Sequence, residues 1–176
     1  MKKTARLTRT AFKLALVSAA LLAAAGAQAA STTASASATV VSPMTITKTA
    51  DLVFGSFSGS AAGSVTVSTN GTRTSSGVSV FGSGVTAAQF AVTGTGNATY
   101  SISFTGTSAT LTSGGDSMGF ATVSDTSGAG ATSGNVTSGT LAAGSGSIFV
   151  GGVLTVALNQ PAGSYTGSVN ATVDYN

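Results

Sequence analysis

The chain has 176 residues, and only 6% of them are Asp, Glu, Lys or Arg. It contains no Cys, His or Trp, and its four acidic residues are all Asp. This composition excludes a thiolate nucleophile, an imidazole base and a zinc site with nitrogen or sulfur ligands. Since soluble domains usually carry about a quarter charged residues, the protein is atypical for the cytosol. Its length indicates one domain.

The N-terminus has the three parts of a secretory signal peptide. Basic residues precede an apolar run over residues 14–25, and Ala27-Gln28-Ala29 has the small-x-small pattern of a cleavage site. A transmembrane anchor is the alternative, but the apolar run is shorter than the ~20 residues that a span requires. We expect residues 1–29 to be a signal peptide. The mature protein then has no membrane span and lies in the periplasm, on the cell surface or outside the cell.

Removing the signal peptide reverses the charge balance of the chain. Five of the seven basic residues lie within it, so the mature chain keeps Lys48 and Arg73 against four Asp. A nucleic-acid-binding protein needs several Lys or Arg to displace counterions from phosphates. Two cations are too few, and binding to nucleic acid is therefore excluded.

The rest of the chain has the pattern of an all-β protein. Short runs of Val, Thr, Ser and Ile alternate in polarity and are separated by Gly at intervals of about eight to twelve residues. This predicts an immunoglobulin-like antiparallel β-sandwich over residues 40–176, preceded by a flexible extension over residues 30–39. Strands are predicted near Ala38–Thr47, Asp51–Phe54, Ser64–Thr69, Val78–Phe81, Gln89–Thr93, Thr99–Thr105, Ala109–Thr112, Ser117–Ser124, Gly146–Val150, Val153–Leu158 and Ser164–Tyr175.

Three other features of the mature chain have a local structural interpretation. Asn70-Gly71 and Gly151-Gly152 are predicted hairpin turns, because both pairs tolerate positive φ. The stretch Asp125–Gly144, which is nearly all Ser, Thr, Gly and Ala, is predicted to be a long loop with at most one weak strand near Val136. A disordered linker is the alternative for this stretch.

The last predicted strand has the most regular pattern in the chain. Every second residue from 166 to 176 is polar, as expected for a strand with one buried and one solvated face. The residues on the opposite, inward face are Tyr165, Gly167, Val169, Ala171, Val173 and Tyr175.

These residues carry a resemblance to a known family. Gly163 stands fourteen residues from the end and Tyr175 is penultimate, which is similar to the C-terminal strand of chaperone–usher pilins. Residues 40–47 followed by 52–57 resemble the first two pilin strands. The stretches 88–94 and 100–104 are shared with uncharacterised secreted bacterial domains of the same size. The chain thus resembles a secreted family of unknown function from Gram-negative bacteria that is itself similar to fimbrial subunits.

The resemblance implies assembly by β-strand addition, with a periplasmic chaperone and an usher as partners, or self-association. The implied assembly strand is the C-terminal one, with Gly163 at its start and Tyr165, Val169, Val173 and Tyr175 on its apolar face. The implied donor strand is the N-terminal extension, where Ala34, Ala36, Ala38 and Val40 share a face. Its side chains are small, and a flexible leader or the start of the first strand are alternatives. The Cys that many pilins carry in the first strand is absent, and Pro43 stands in that region.

No residue pattern predicts catalysis, a metal or a cofactor. Two carboxylates for glycoside hydrolysis must lie a few ångströms apart, but the four Asp are scattered and turn-like in context. A serine nucleophile would have only Lys48 as a base. Calcium needs six or more oxygen ligands, and no Asp-x-Asp spacing occurs. Arg73, the sole Arg of the mature chain, is expected to fix a hairpin or to pair with an Asp.

Three functions therefore remain as hypotheses. The first is a pilin-like structural subunit or adhesin that assembles by strand addition. The second is a self-contained periplasmic or secreted binding module. The third is a small outer-membrane barrel, which the absence of aromatic girdles and of strands of about ten residues makes the weakest.

Overall fold

The computed structural model describes residues 29–176, and their regular structure is entirely β. All twelve strands lie in the compact unit Val40–Asn176. The predicted signal peptide, residues 1–29, lies outside the described residues except for Ala29. The predicted all-β sandwich is confirmed.

Ten of the twelve strands have six residues or fewer, and the two long strands, β9 and β11, have 10 and 12 residues. The twelve strands are β1 (Thr45–Ala50), β2 (Ser56–Phe57), β3 (Gly63–Val67), β4 (Arg73–Ser76), β5 (Val80–Phe81), β6 (Ala88–Thr93), β7 (Thr99–Ser103), β8 (Thr110–Ser113), β9 (Asp116–Asp125), β10 (Ser138–Thr140), β11 (Ser145–Val156) and β12 (Thr172–Tyr175).

β11 is the central strand of a seven-stranded antiparallel sheet. β9 runs along one edge of β11, whereas β6 and β3 share the other edge, β6 along residues 145–150 and β3 along residues 152–156. β1, β4 and β8 extend the sheet beyond β6, β3 and β9. A second sheet has the order β10-β7-β12, and β2 pairs with β5 as a separate ribbon.

Two clusters of apolar side chains form the core. One cluster lies where β6 and the first half of β11 face β7, and the other lies where β3, β9 and the second half of β11 pack against Phe54 and Val78. Leu52 and Val169 pack against both clusters. Alternating strand residues supply the buried side chains, as expected for sheets with one solvated face.

The predicted hairpin turn at Gly151-Gly152 is wrong, because both residues lie inside the continuous strand β11. They stand where β6 gives way to β3 as the neighbour of β11. A Cβ at Gly151 would overlap the carbonyl oxygen of Val67, and a Cβ at Gly152 would lie 2.5 Å from the Phe120 ring. Close packing, and not a turn, therefore requires glycine here.

The other turn prediction is confirmed in part. Asn70-Gly71 joins β3 to β4, with the Gly71 N–H donating to the Ser68 carbonyl oxygen at 2.9 Å. Gly71 has φ +81°, whereas Asn70 is not among the residues with positive φ. Only one of the two central residues therefore uses the left-handed region.

Several predicted boundaries are also corrected. The first strand begins at Thr45 and not at Ala38, and Asp51–Phe54 contributes only a single bridge, at Val53. The strand predicted over 78–81 is reduced to Val80–Phe81, and β4 was not predicted at all. The predicted long loop over 125–144 contains one short strand, β10, close to Val136.

Candidate functional site

A groove of about 1050 Å³ opens between the start and the end of the domain. One wall consists of residues 48–59, which run from the end of β1 through β2. The other wall consists of residues 160–169, which precede β12. Apolar side chains from the sheet line the groove between these walls: Phe90, Leu111, Met118, Phe120 and Leu154. The groove thus lies over the junction of the two core clusters, where no strand covers them.

Hydrogen bonds lie at both ends of the groove, the first between the two walls and the second beyond them. At one end the Gln160 N–H donates to the Gly59 carbonyl oxygen at 2.9 Å. At the other end the Tyr175 hydroxyl donates to the Ser42 carbonyl oxygen at 2.8 Å and accepts from the Thr95 N–H at 2.7 Å. The walls therefore run antiparallel, and they separate between these two contacts.

The wall over residues 160–169 is fastened by a small polar cluster. The Gln160 side-chain amide donates to the Tyr165 hydroxyl at 2.8 Å and to the Ser117 carbonyl at 3.2 Å. The Tyr165 hydroxyl in turn donates to the Pro161 carbonyl at 2.9 Å. Tyr165, predicted from sequence as an apolar contact of the assembly strand, thus also fixes the chain by its hydroxyl group.

The C-terminal segment keeps the predicted alternation but is only partly a strand. Its odd-numbered residues Tyr165, Val169, Ala171, Val173 and Tyr175 are half-buried, and Gly167 and the even-numbered residues are exposed. Regular pairing is limited to β12, although Ser164–Tyr175 was predicted as one strand. Gly163 lies before the segment and touches Ser113, where a Cβ would overlap the Ser113 hydroxyl oxygen.

One backbone edge of this segment is bonded and the other is free. Thr166 exchanges two hydrogen bonds of 2.9 Å with Thr112 in β8, and Ser168 accepts from the Ser108 N–H at 3.0 Å. The Asn170 N–H donates to the Thr107 hydroxyl at 3.0 Å. Among the described residues, the N–H and C=O groups of Gly167, Val169 and Ala171 form no hydrogen bond. Those groups point away from β8, as alternation along a strand requires.

The residues predicted as a donor strand have no regular structure. Residues 29–44, which include Ala34, Ala36 and Ala38, contain no strand. Val40 and Val41, within the domain unit, are exposed, Val40 by 96%. Their role as a donor strand stays a prediction.

A family model described as a domain of unknown function, DUF4402, matches residues 44–175. This range includes the groove, both of its walls and all of the domain unit except residues 40–43 and 176. The chain belongs to the DUF4402 family. No curated protein and no solved structure matches it. Nothing in the match links the DUF4402 domain to pilin subunits, so that resemblance stays a prediction.

The Asp residues of the DUF4402 domain do not converge on one site. Asp51 forms an ion pair of 2.6 Å with Lys48, and both side chains are exposed. Asp116 and Asp174 are exposed at the start of β9 and in β12. Within residues 29–176 no group of three or more His, Cys, Asp or Glu is placed to hold a metal ion. The same residues include no helix with the length and hydropathy to cross a bilayer.

Asp125 organises the long loop that follows β9. Burial raises the pKa of its carboxyl, but hydrogen bonds from the Thr69 hydroxyl and from the N–H groups of Gly128, Ser127 and Ala129 outweigh this effect and leave the pKa below its usual value. The Thr69 hydroxyl oxygen also accepts from the Ala131 N–H at 2.8 Å. The carboxylate therefore has a structural role.

Arg73 makes neither of the contacts expected of it within the described part of the chain. It has no carboxylate partner, since the one ion pair there joins Lys48 to Asp51. Its guanidinium donates to four carbonyl oxygens instead: those of Phe54 (3.0 Å), Ser56 (3.4 Å), Phe81 (3.2 Å) and Gly82 (3.0 Å). Sequence reasoning could not find this role, because carbonyl acceptors leave no signal in residue types.

Proposed function

We propose that this DUF4402 protein is an exported, non-enzymatic structural or adhesive subunit of the cell surface that assembles by β-strand addition. In strand addition an extended segment of another molecule pairs with a free sheet edge, and its alternate side chains enter pockets. The observation that carries the proposal is the coincidence of two features. The apolar groove lies beside the unpaired backbone groups of Gly167, Val169 and Ala171.

Each feature alone has a cost that an added strand would remove. Backbone N–H and C=O groups are almost always paired when they are buried, and Val169 and Ala171 are already half-buried. Phe90, Met118, Phe120 and Leu154 at the base of the groove are at most 8% exposed, so an added strand would bury mainly the half-buried side chains of the walls, at about 25 cal/mol per Å² of apolar surface. A strand laid along residues 167–171 would satisfy the backbone and cover both core clusters.

The donor that we propose is the N-terminal extension of a second copy. Residues 30–41 carry no charge, which suits a groove whose only charged residues, Lys48 and Asp51, already pair with each other. Ala34, Ala36, Ala38 and Val40 would face the groove.

A subunit with such a groove needs protection before it assembles. An open apolar cleft beside a free sheet edge is a site of non-specific association. We therefore propose a periplasmic chaperone that occupies the groove and an usher that replaces it with the donor strand.

Matched charge substitutions in the extension test the proposal. Ala36→Asp places a carboxylate on the face proposed to enter the groove, whereas Ser37→Asp places the same charge on the opposite face. We expect Ala36→Asp and a deletion of residues 30–39 to abolish polymers and to leave the monomer folded, and Ser37→Asp to polymerise. Full-length protein that stays monomeric at high concentration, with chaperone and usher supplied, would refute the assembly role.

If the protein stays monomeric, the second candidate function is that of a self-contained binding module. The volume of the groove, about 1050 Å³, lies just above the range of small-molecule sites, which is roughly 300–1,000 Å³. An apolar ligand would then occupy the space that we assign to the donor strand.

A further inference from the structure

Arg73 lies behind one wall of the groove and not in it. The wall residues Phe54–Phe57 line the groove, whereas Arg73 does not. Its Nη1 donates to the carbonyl oxygens of Phe54 and Ser56, and its Nη2 donates to those of Phe81 and Gly82. The guanidinium thus links the wall to the end of β5 without lining the groove.

The ribbon that Arg73 holds has little pairing of its own. β2 and β5 pair through two residues each, Ser56 with Phe81 and Phe57 with Val80. An isolated two-stranded ribbon is marginal in water even when it is longer. Gly55, at the centre of the clamp, has φ +73°, and a Cβ there would overlap Nη1. The wall is therefore shaped around the guanidinium.

We propose that Arg73 is a positioning residue, which holds the Phe54–Phe57 wall at the spacing that the partner strand requires. This inference rests on the proposed function, because it assigns Arg73 a role in strand binding without contact with the strand. A planar guanidinium with five donors can serve two segments at once. A lysine ammonium carries its three donors on one nitrogen and can hold only part of the clamp.

The test compares Arg73→Met and Arg73→Lys with the unmodified protein. The probe is a synthetic peptide of residues 30–41, and its affinity is measured by fluorescence anisotropy. We expect Arg73→Met to weaken binding at least tenfold and Arg73→Lys to have an intermediate effect. Asp125→Asn is the control, because it removes a stabilising carboxylate that is bonded to Thr69 and to the N–H groups of residues 127–129 and does not line the groove.

A second measurement reports on the wall without any partner. Hydrogen exchange should accelerate in Arg73→Met at Ser58, whose N–H donates to the Ser79 carbonyl at 2.8 Å. It should be unchanged at Val65 in the adjacent sheet.

Two results would overturn the inference. One is peptide affinity in Arg73→Met within twofold of the unmodified protein. The other is an equal loss of affinity in Asp125→Asn at matched stability, which would mean that only global stability matters. If the unmodified protein does not bind the peptide, the proposed donor is wrong. The positioning role is then decided by exchange at Ser58, which supports it if accelerated and overturns it if unchanged.

Discussion

The hydroxyl group of Tyr175 donates to the carbonyl oxygen of Ser42 at 2.8 Å and so joins the last strand of the domain to the residues before its first strand. The same oxygen accepts from the Thr95 N–H at 2.7 Å. One side chain therefore ties together three segments, and it does so where the walls of the groove meet. This contact gives the penultimate tyrosine a role in the monomer, whatever its role in assembly.

Removing that hydroxyl should destabilise the monomer. Tyr175→Phe loses two hydrogen bonds and keeps the ring, so we expect the free energy of unfolding to fall by about 1–2 kcal/mol. Urea denaturation measures this change in the free energy of unfolding. Phe81→Leu, which changes an exposed ring with no hydroxyl, should have a smaller effect. An unchanged denaturation midpoint in Tyr175→Phe would mean that water replaces both bonds without loss.

A charge on the apolar face of β12 should be costly. Val173 is half-buried against the core cluster formed by β6, β7 and β11, whereas its neighbour Thr172 is exposed. We expect Val173→Asp to lower the free energy of unfolding by at least about 2 kcal/mol and Thr172→Asp to change it by less than about 0.5 kcal/mol. Equal effects of the two substitutions in urea denaturation would contradict the assigned faces.

The glycine pair inside β11 gives a steric prediction. A Cβ at Gly151 would overlap the Val67 carbonyl oxygen, whereas a Cβ at Gly115 would have no atom within 4 Å. Gly151→Ala should therefore destabilise the domain by about 1–3 kcal/mol, the usual range for overpacking, and Gly115→Ala should be close to neutral. Thermal unfolding distinguishes them. A neutral Gly151→Ala would contradict the close approach of the Val67 carbonyl oxygen to this position.

Asp125 should make the stability of the domain depend on pH. Its pKa in the folded protein is lowered, so its carboxylate stabilises the fold above the unfolded pKa of about 3.9. That contribution is lost as pH falls through the folded-state pKa. Thr69→Val removes one donor and should weaken the loss of stability on acidification, whereas Thr69→Ser should preserve it. The measurement is denaturation between pH 2 and 7, and identical profiles for both variants would contradict the assignment.

The faces of the C-terminal segment could be predicted from the sequence, but its pairing could not. Alternation at residues 165–175 depends only on residue types, and it reappears as alternating burial. Where a strand starts and ends depends on its neighbours, and residues 167–171 have a partner on one edge only. The same limit explains β4, a polar edge strand over Arg73–Ser76 that has no apolar alternation.

The groove could not be predicted from the sequence for a related reason. Its existence depends on the distance between two walls that are more than a hundred residues apart in the chain. The turn prediction at Gly151-Gly152 was wrong for a different reason, because a Gly-Gly dipeptide is compatible both with a turn and with the close approach of another backbone. Arg73 was recognised as structural, but its four acceptors are backbone carbonyl oxygens, which leave no signal in residue types.

Hydrogen exchange at the C-terminal segment tests the strand-addition account most directly. The N–H groups of Gly167, Val169 and Ala171 are unpaired in the described monomer, whereas the N–H of Asn170 is already bonded to Thr107. If a donor strand pairs with this edge, protection in assembled protein should rise at least a hundredfold at the three odd-numbered residues. It should change much less at Asn170. Assembled protein in which the three odd-numbered residues exchange as fast as in the monomer would contradict the account.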